Sequence, residues 1–489
     1  GGVLQFLKQN ILQAGKVHAI PVSAVIPYVE YRLFGVDFEG YAIFSLAIHL
    51  CSSVLVYCFC LLFLKKRLLA VIASVLFATN SISYQAVSWV AAINTQSVVL
   101  FSIASLILFV KYIHSDFKRI YVFGSLFFFI LALFSNESAF ALFIIFPMLW
   151  LIVYQRSDKK VVYRLVFPFL LLGFIYLLIR ISIWILAYPI VLGQTQLLTQ
   201  PNMFVFFYRL VLLPLRIFPQ AFIPQAILLN ISEKIIRLGY PQFVASDNAV
   251  NPYIQEGIVF DMVCFILFVI FSVLALFLYN HLKRSKEFVL SQSFLLAITL
   301  IIFSGVMLIF IPGSAGYVSI IEPKHLYLVN LGSSLLLALG IYGIFSLFTK
   351  KQFIIAGFSI LSCAAIVFQN INKVNEGLEG LARISNLRKS FLQTVKREHP
   401  KFLNPAVFYL QSDSAYYGMP LEEKNLPVQS GFGRMLMVWY QKSERFPACM
   451  YSDVFLHDLI AQGYRNCDGR GFGYFRDYDK LIKAIKENN

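Results

Sequence analysis

Apolar residues along this chain gather in long runs, not in the two-residue alternation of a half-buried strand. Ten runs stand out, at 41–64, 69–86, 94–112, 119–135, 137–154, 163–188, 257–280, 288–312, 325–347 and 352–370. A helix of about 20 apolar residues crosses the roughly 30 Å of a bilayer's hydrocarbon. Helix is also a form that satisfies its own backbone there. The pattern therefore predicts an all-α polytopic membrane protein with about ten transmembrane helices. One further apolar stretch, "MFVFFYRLVLLPLRIFPQAFIP" at 203–224, is interrupted by Arg209, Pro214, Arg216 and Pro219. It reads as a helix lying in the membrane interface or re-entering from it, with a true crossing as the other reading.

The polar connections between the runs set an orientation. Basic clusters follow the first, third, fifth, seventh and ninth runs. They are Lys65-Lys66-Arg67; Lys111, Lys118 and Arg119; Arg156, Lys159, Lys160 and Arg164; Lys283, Arg284 and Lys286; and Lys350-Lys351. The connections near 87–93 and 189–202 carry no charge, and 135–138 carries Glu137 alone. Loops rich in Lys and Arg stay in the cytoplasm, so the charge-poor connections face outside. Residues 1–40 then form a first outer loop, 41–370 the membrane domain, 189–256 one large outer loop within it, and 371–489 an outer segment. Both ends of the chain are extracytoplasmic, and a bacterial plasma membrane is the expected location. If 203–224 crossed, the cluster at 283–286 would fall on the wrong side.

Composition strengthens the membrane reading. The chain has 489 residues, of which 59% are hydrophobic and 13% charged, against about 25% charged in soluble domains. A net charge of +16 would otherwise suggest a nucleic-acid partner. The basic residues sit in short clusters between apolar runs, so no nucleic acid is expected. The chain opens on Gly1-Gly2 without a visible signal peptide, and a truncated start is expected. Five of the seven cysteines, Cys51, Cys58, Cys60, Cys264 and Cys363, lie in apolar runs and read as small core residues.

Near Asn370 the composition turns polar. A helical stalk is expected over about 371–398. Beyond it, "AVFYLQSD" and "GFGYFRD" read as strands. "GRMLMVWYQKS", "SDVFLHDLIAQGY" and "YDKLIKAIKENN" have helical spacing. This predicts a small C-terminal α/β domain outside the membrane. Cys449 and Cys467 lie in it and could pair in an oxidising compartment; sequence leaves their separation open. "DGRGFGYF" invites a phosphate-loop reading, but it lacks the Gly-Lys-Ser/Thr signature and reads as a turn before a strand.

Several segments, in order, resemble the C-type (GT-C) integral-membrane glycosyltransferases. "YRLFGVDFEGYAIFSLAIHLCSSVLVY" resembles their entry from an outer loop into a helix with a Leu-His or Ile-His pair. "LLAVIASVLFATNSISYQAVSWVAAINTQSVVLFSIASLILF" resembles the next helical hairpin, with its Phe-Ala, polar turn and Val-x-Trp. "FSNESAFAL" resembles the Ser-Lys-Glu turn of the O-mannosyltransferase branch, and "EPKHLYLVNLGSSLLLALGI" its Glu-Arg-Tyr-x-Tyr-Leu segment. The likeness covers most of 15–350. Asn80-Ser81 stands where the family has His-Pro, Asn136 where it has Lys, and Lys324-His325 where it has Arg-Tyr. The family's main catalytic acidic residue would lie upstream of Gly1.

The resemblance implies transfer of a sugar from a polyprenyl-phosphate donor to a protein or glycan acceptor on the outer face. It leaves the cofactor open, with a divalent cation one candidate and no metal site named. The lipid tail of such a donor stays in the bilayer, so its phosphate sits at the outer interface. A cation there would stabilise the leaving phosphate and a carboxylate would take the acceptor's proton.

Lys324 and His325 sit at that depth and could bind the donor phosphate. Alternatively, Lys324 pairs with Glu322 or snorkels to head groups. Arg209 and Arg216 are further phosphate candidates, with lipid anchoring as the plainer reading. Glu137 and Asp37 are candidate catalytic carboxylates, and Glu39 and His18 candidate substrate contacts. Helix capping explains Asp37, Glu39 and Glu137 as well. His18 and Lys16 stand where the family has an Arg-Pro pair. His49, in mid-membrane, reads as a buried histidine bonded to a neighbouring helix, or as catalytic. Two rival functions remain: a transporter or flippase of lipid-linked sugar, and a non-catalytic scaffold presenting the C-terminal domain.

Overall fold

The computed structural model describes residues 21–35, 37–115, 117–154, 166–179, 182, 203–239, 252–285, 287–306, 323–398, 400, 464–467 and 470–473. The chain divides into two compact units, Gly1–Asn375 and Glu376–Asn489.

In the first unit, α1 (Pro21–Phe34) leads into α2 (Phe38–Leu64) and α3 (Arg67–Thr79). A 3-10 turn (Ser81–Ser83), the short α4 (Tyr84–Ser88) and a second 3-10 turn (Val90–Ala92) follow. Next come α5 (Ile93–His114), α6 (Arg119–Leu133), a 3-10 turn (Glu137–Ala141), α7 (Leu142–Tyr154) and α8 (Val166–Ile179). Then α9 (Met203–Gln220), α10 (Gln225–Gly239), α11 (Pro252–Arg284) and α12 (Phe288–Val306) follow. The unit closes with a 3-10 turn (Pro323–Leu326), α13 (Val329–Phe348) and the start of α14 (Gln352–Glu398).

Six helical stretches are long and apolar enough to cross a membrane: Phe38–Leu64, Val90–His114, Val259–Arg284, Phe288–Gly305, Val329–Phe348 and Gln352–Arg383. Four more are apolar but shorter, at Arg67–Thr79, Arg119–Leu133, Glu137–Leu151 and Val166–Ile179. The protein is thus a polytopic α-helical membrane protein.

The helices sort their residues as lipid requires, with small and polar side chains inside and aliphatic ones outside. On α2, Ser45, His49, Ser52, Ser53, Val56 and Cys60 are buried at helical spacing, while Ile43, Leu46, Leu50 and Val54 are exposed. Ser74 of α3 donates to the Ser53 carbonyl at 2.7 Å. Ser105 of α5 and Ser125 of α6 donate to each other's carbonyls at 2.7 and 2.8 Å. Such interhelical bonds contribute about 0.6 kcal/mol each. At Gly332 of α13, an added Cβ would meet the Ala297 carbonyl oxygen at 2.7 Å, so glycine lets α13 lie directly on α12. Phe109, Phe146 and Phe169 make a core of edge-on and tilted rings joining α5, α7 and α8.

The basic turn between α2 and α3, the α11–α12 turn and the end of α13 meet at one end of the bundle. Lys66 Nζ, between α2 and α3, donates to Glu287 at 2.8 Å and to the Tyr342 hydroxyl at 3.0 Å, and lies 4.5 Å from the Tyr342 ring centre. Lys65 carries αL backbone (φ 56°) as it caps α2. His281 of α11 bonds Ser346 of α13 at 3.1 Å. Burial works against the Lys66 charge, but the hydrogen bonds to Glu287 and Tyr342 outweigh it and raise the ammonium's pKa.

The structure adds detail to three expectations. The first outer loop contains a helix, α1, despite Pro27 inside it; Pro21 occupies its first position, where proline suits a helix. The stretch 203–224 does not simply lie against lipid. The second half of α9 is buried, with Leu213, Arg216, Ile217, Phe218 and Gln220 packed inward against α11 and α12. The stalk expected at 371–398 and the run at 352–370 are one helix, α14. In the second unit the described residues beyond α14 include an antiparallel hairpin of β1 (Tyr464–Cys467) and β2 (Arg470–Gly473), in register Tyr464↔Gly473 to Cys467↔Arg470.

Candidate functional site

The end of the bundle opposite the basic turns is broken. From Arg67, α3 runs 13 residues and stops at Thr79, which is about 20 Å of rise, short of the roughly 30 Å of a hydrocarbon core. Its last carbonyls have no partner within the helix. Side chains from other helices supply them. His49 Nε2 bonds the Ala78 carbonyl at 2.9 Å and Asn330 Nδ2 donates to the Phe77 carbonyl at 3.1 Å. In a neutral His49 ring, Nε2 carries the proton for that carbonyl, and Nδ1 accepts from the Tyr327 hydroxyl 2.7 Å away. Asn80 donates to Asn330 Oδ1, which also accepts from Ser334, and Asn80 Oδ1 caps the next turn by accepting from Ile82 N. Irregular backbone at membrane depth persists where protein buries it like this.

Above this network the connecting turns form a rim. The backbone N–H of Lys324 donates to Gln85 Oε1 at 3.2 Å. The Lys324 ammonium sits 4.0 Å from the centre of the Trp89 ring, and that ring is itself exposed. A cation on an aromatic face keeps its charge and gains attraction from the ring quadrupole. Asn136 caps the 3-10 turn that begins at Glu137, accepting from Ser138 N at 2.9 Å. The backbone of Val22, at the start of α1, donates to the Phe134 carbonyl at 3.1 Å, tying α1 to the same end.

Glu30 on α1 is 1% exposed, and its Oε2 has no hydrogen-bond partner among the described residues. Burial pushes its carboxyl pKa up to about 7. Gln96 Oε1, Ser81 Oγ and Ser88 Oγ, at the same end, also have no partner among the described residues. Gln96 spends its amide on Ser45 and the Ala86 carbonyl. A buried carboxyl half-ionised near neutrality is the form a general base needs.

The expected site residues fall in different places. Lys324 and His325 share the rim turn, and both are half-buried. Asp37 is exposed and caps α2, accepting from Glu39 N at 3.1 Å, with Glu39 in the first turn; for Asp37 the capping reading matches the geometry. Glu137 is half-buried, in the first turn of its 3-10 helix. Arg216 is 2% exposed and held by both oxygens of Asp261 on α11, at 2.5 Å each, so a protein carboxylate occupies the place expected for a phosphate. Arg209 lies on α9. His18 and Cys449 lie outside the described residues, and Cys467 ends β1. His49 bonds neighbouring elements, as a structural histidine would.

Sequence reasoning passed over two residues. Glu30 was legible as a carboxylate but not as buried. Asp261 stood inside an apolar run, which is itself a signal for a paired or functional charge. Among the described residues, no group of three or more His, Cys, Asp or Glu side chains is placed to hold a metal ion. Comparison with protein-family models, curated proteins and solved structures returns no match for this chain.

Proposed function

We propose that the protein is an integral-membrane glycosyltransferase with ten crossings. It would move a sugar from a polyprenyl-phosphate donor to a protein or glycan acceptor at the broken end of the bundle. In this reading the broken end faces outside, because the basic turns belong in the cytoplasm, and the C-terminal segment forms a small α/β domain of its own. The observation that carries the reading is a pairing of chemistries at that end. Lys324 lies on an exposed tryptophan face, and Glu30 offers a buried carboxyl poised near neutrality.

The acceptor hydroxyl oxygen attacks the sugar's anomeric carbon while Glu30 takes the hydroxyl proton. The bond from that carbon to the phosphate oxygen breaks, and the electron pair leaves with the polyprenyl phosphate. Lys324, as a compact point charge, neutralises the departing phosphate. Trp89 gives the sugar ring an apolar face to stack on.

The test is donor consumption by the purified full chain in nanodiscs, supplied with radiolabelled polyprenyl-phosphate sugars. Turnover lost in Lys324→Met and retained in Lys324→Arg supports the reading. No turnover with any donor sinks it. The interrupted α3 also fits a transporter, since broken helices mark such sites. Inactive protein that carries labelled donor across vesicles would favour that alternative.

A further inference from the structure

The geometry points to α10 as a helix embedded in the lipid interface at the broken end, with the head-group boundary of that leaflet as its partner. The proposal holds whatever chemistry the site performs.

The residues of α10 divide by angle around its axis. Leu228 and Ser232 are buried, and Leu228 packs with Phe260, Val263 and Cys264 of α11. Ser232 satisfies itself by donating to the Leu228 carbonyl at 2.8 Å. Next around the helix, Ile231, Ile235 and Leu238 are all exposed, and Leu238 is 85% exposed. Their spacing of four and three residues puts them on one stripe. At about 100° per residue this stripe borders the buried face. Asn230, Glu233 and Arg237 occupy the opposite side, where Arg237 pairs with Glu233, and Lys234 flanks the stripe.

The apolar arc therefore turns continuously from protein to surroundings. It meets the lipid-facing side of α11, where Met262, Phe265, Ile266 and Val269 are exposed. Depth identifies the surroundings. The contact on α11 is at Phe260 to Cys264, which is 20 to 24 residues from Arg284 at the basic end. At 1.5 Å per residue that is about 30–36 Å, where a hydrocarbon core of roughly 30 Å gives way to head groups. A stripe of aliphatic side chains flanked by Lys234, with the charged Glu233–Arg237 side beyond it, matches an interfacial helix at this level. The aliphatics enter the acyl region, and Lys234 reaches up to lipid phosphates.

The test places a spin label at single cysteines in the full chain, with its seven native cysteines replaced. The chain is held in nanodiscs of phosphatidylcholine and phosphatidylglycerol. Labels at 235 and 238 should collide severalfold more with oxygen than with a water-soluble nickel complex, and a label at 233 should show the reverse. Nickel access at 235 and 238 equal to that at 233 overturns the proposal. So does shielding of both positions from both colliders, which would mean a second copy covers the stripe. If the cysteine-free chain does not fold, Leu238→Trp in the native chain asks the same question. Brominated lipids should quench its fluorescence beyond the baseline of the four native tryptophans, and no added quenching refutes lipid contact.

Discussion

Among the described residues, an ion pair that ties two elements together lies at each end of the bundle, and the two differ in burial. At the basic end, Lys66 and Glu287 are 32% and 35% exposed and join the α2–α3 turn to the α11–α12 turn. At the broken end, Arg216 and Asp261 are 2% and 14% exposed and join α9 to α11. The first pair keeps water available to both charges, so losing a partner leaves a solvated ion. The second has given up most of its water, so removing either charge costs more there. The same contrast runs through the neighbouring groups. The basic end satisfies Lys66 with a carboxylate, a hydroxyl and a ring. The broken end leaves buried oxygens, Glu30 Oε2 among them, without partners among the described residues. Folding alone gives little reason to keep a buried carboxyl oxygen without a partner among the described residues, whereas a reaction that needs a proton acceptor does.

The sharpest way to break this contrast is Glu30→Gln. The substitution keeps size and removes the proton-accepting oxygen, so the proposed transfer should fall about 10²–10⁴-fold while helix content and monodispersity persist. Full activity in the variant would reduce Glu30 to a packing residue. The buried ion pair comes next. Asp261→Ala takes the two-oxygen carboxylate contact away from the buried Arg216 guanidinium, at a cost of up to about 3–5 kcal/mol, read as a lower thermal midpoint in detergent. The double variant Arg216→Met with Asp261→Ala should recover much of that loss. A single variant as stable as the native chain would mean that water reaches the pair.

These residues also show what the sequence could and could not disclose. The apolar runs were legible because a membrane imposes one length and one composition on every crossing. The basic turns were legible because charge repeats between them. The break at Thr79 was not, because Asn80-Ser81 sits between apolar residues and gains its meaning from Asn330, 250 positions away. His49 was recognisable as a buried, bonded histidine, but not as the side chain that completes a helix end. Arg216 stood out as a charge beside prolines, whereas Asp261, a charge in an apolar run, was passed over. Only the packing of α9 on α11 makes them partners. Glu30 lies in a proline-containing segment whose pattern suggested an exposed loop, so nothing local announced its burial.

Titration gives a third, smaller handle on the broken end. Glu30 has a folded pKa of about 7 against 4.5 for the free side chain. Between those values the folded protein holds more proton than the unfolded chain. This group's contribution to stability is therefore intact below about pH 4.5 and is lost as pH rises to about 7. In the native chain the thermal midpoint should drop over that window more steeply than in Glu30→Gln. Parallel profiles would show that the carboxyl is hydrated.

The smallest effect belongs to the basic end and completes the comparison. Lys66→Met removes the ion pair with Glu287 but keeps an unbranched stem to lie against the Tyr342 ring. Both charges are about one-third exposed, so the carboxylate left behind can be solvated, and the loss should stay within about 1 kcal/mol. That loss should shrink further in high salt, which screens exposed pairs and spares buried ones. The same salt series on Asp261→Ala should leave its deficit unchanged. If the two variants instead responded alike, in size and in salt dependence, the two ends would share one electrostatic environment, and the case for a specialised broken end would lose its footing.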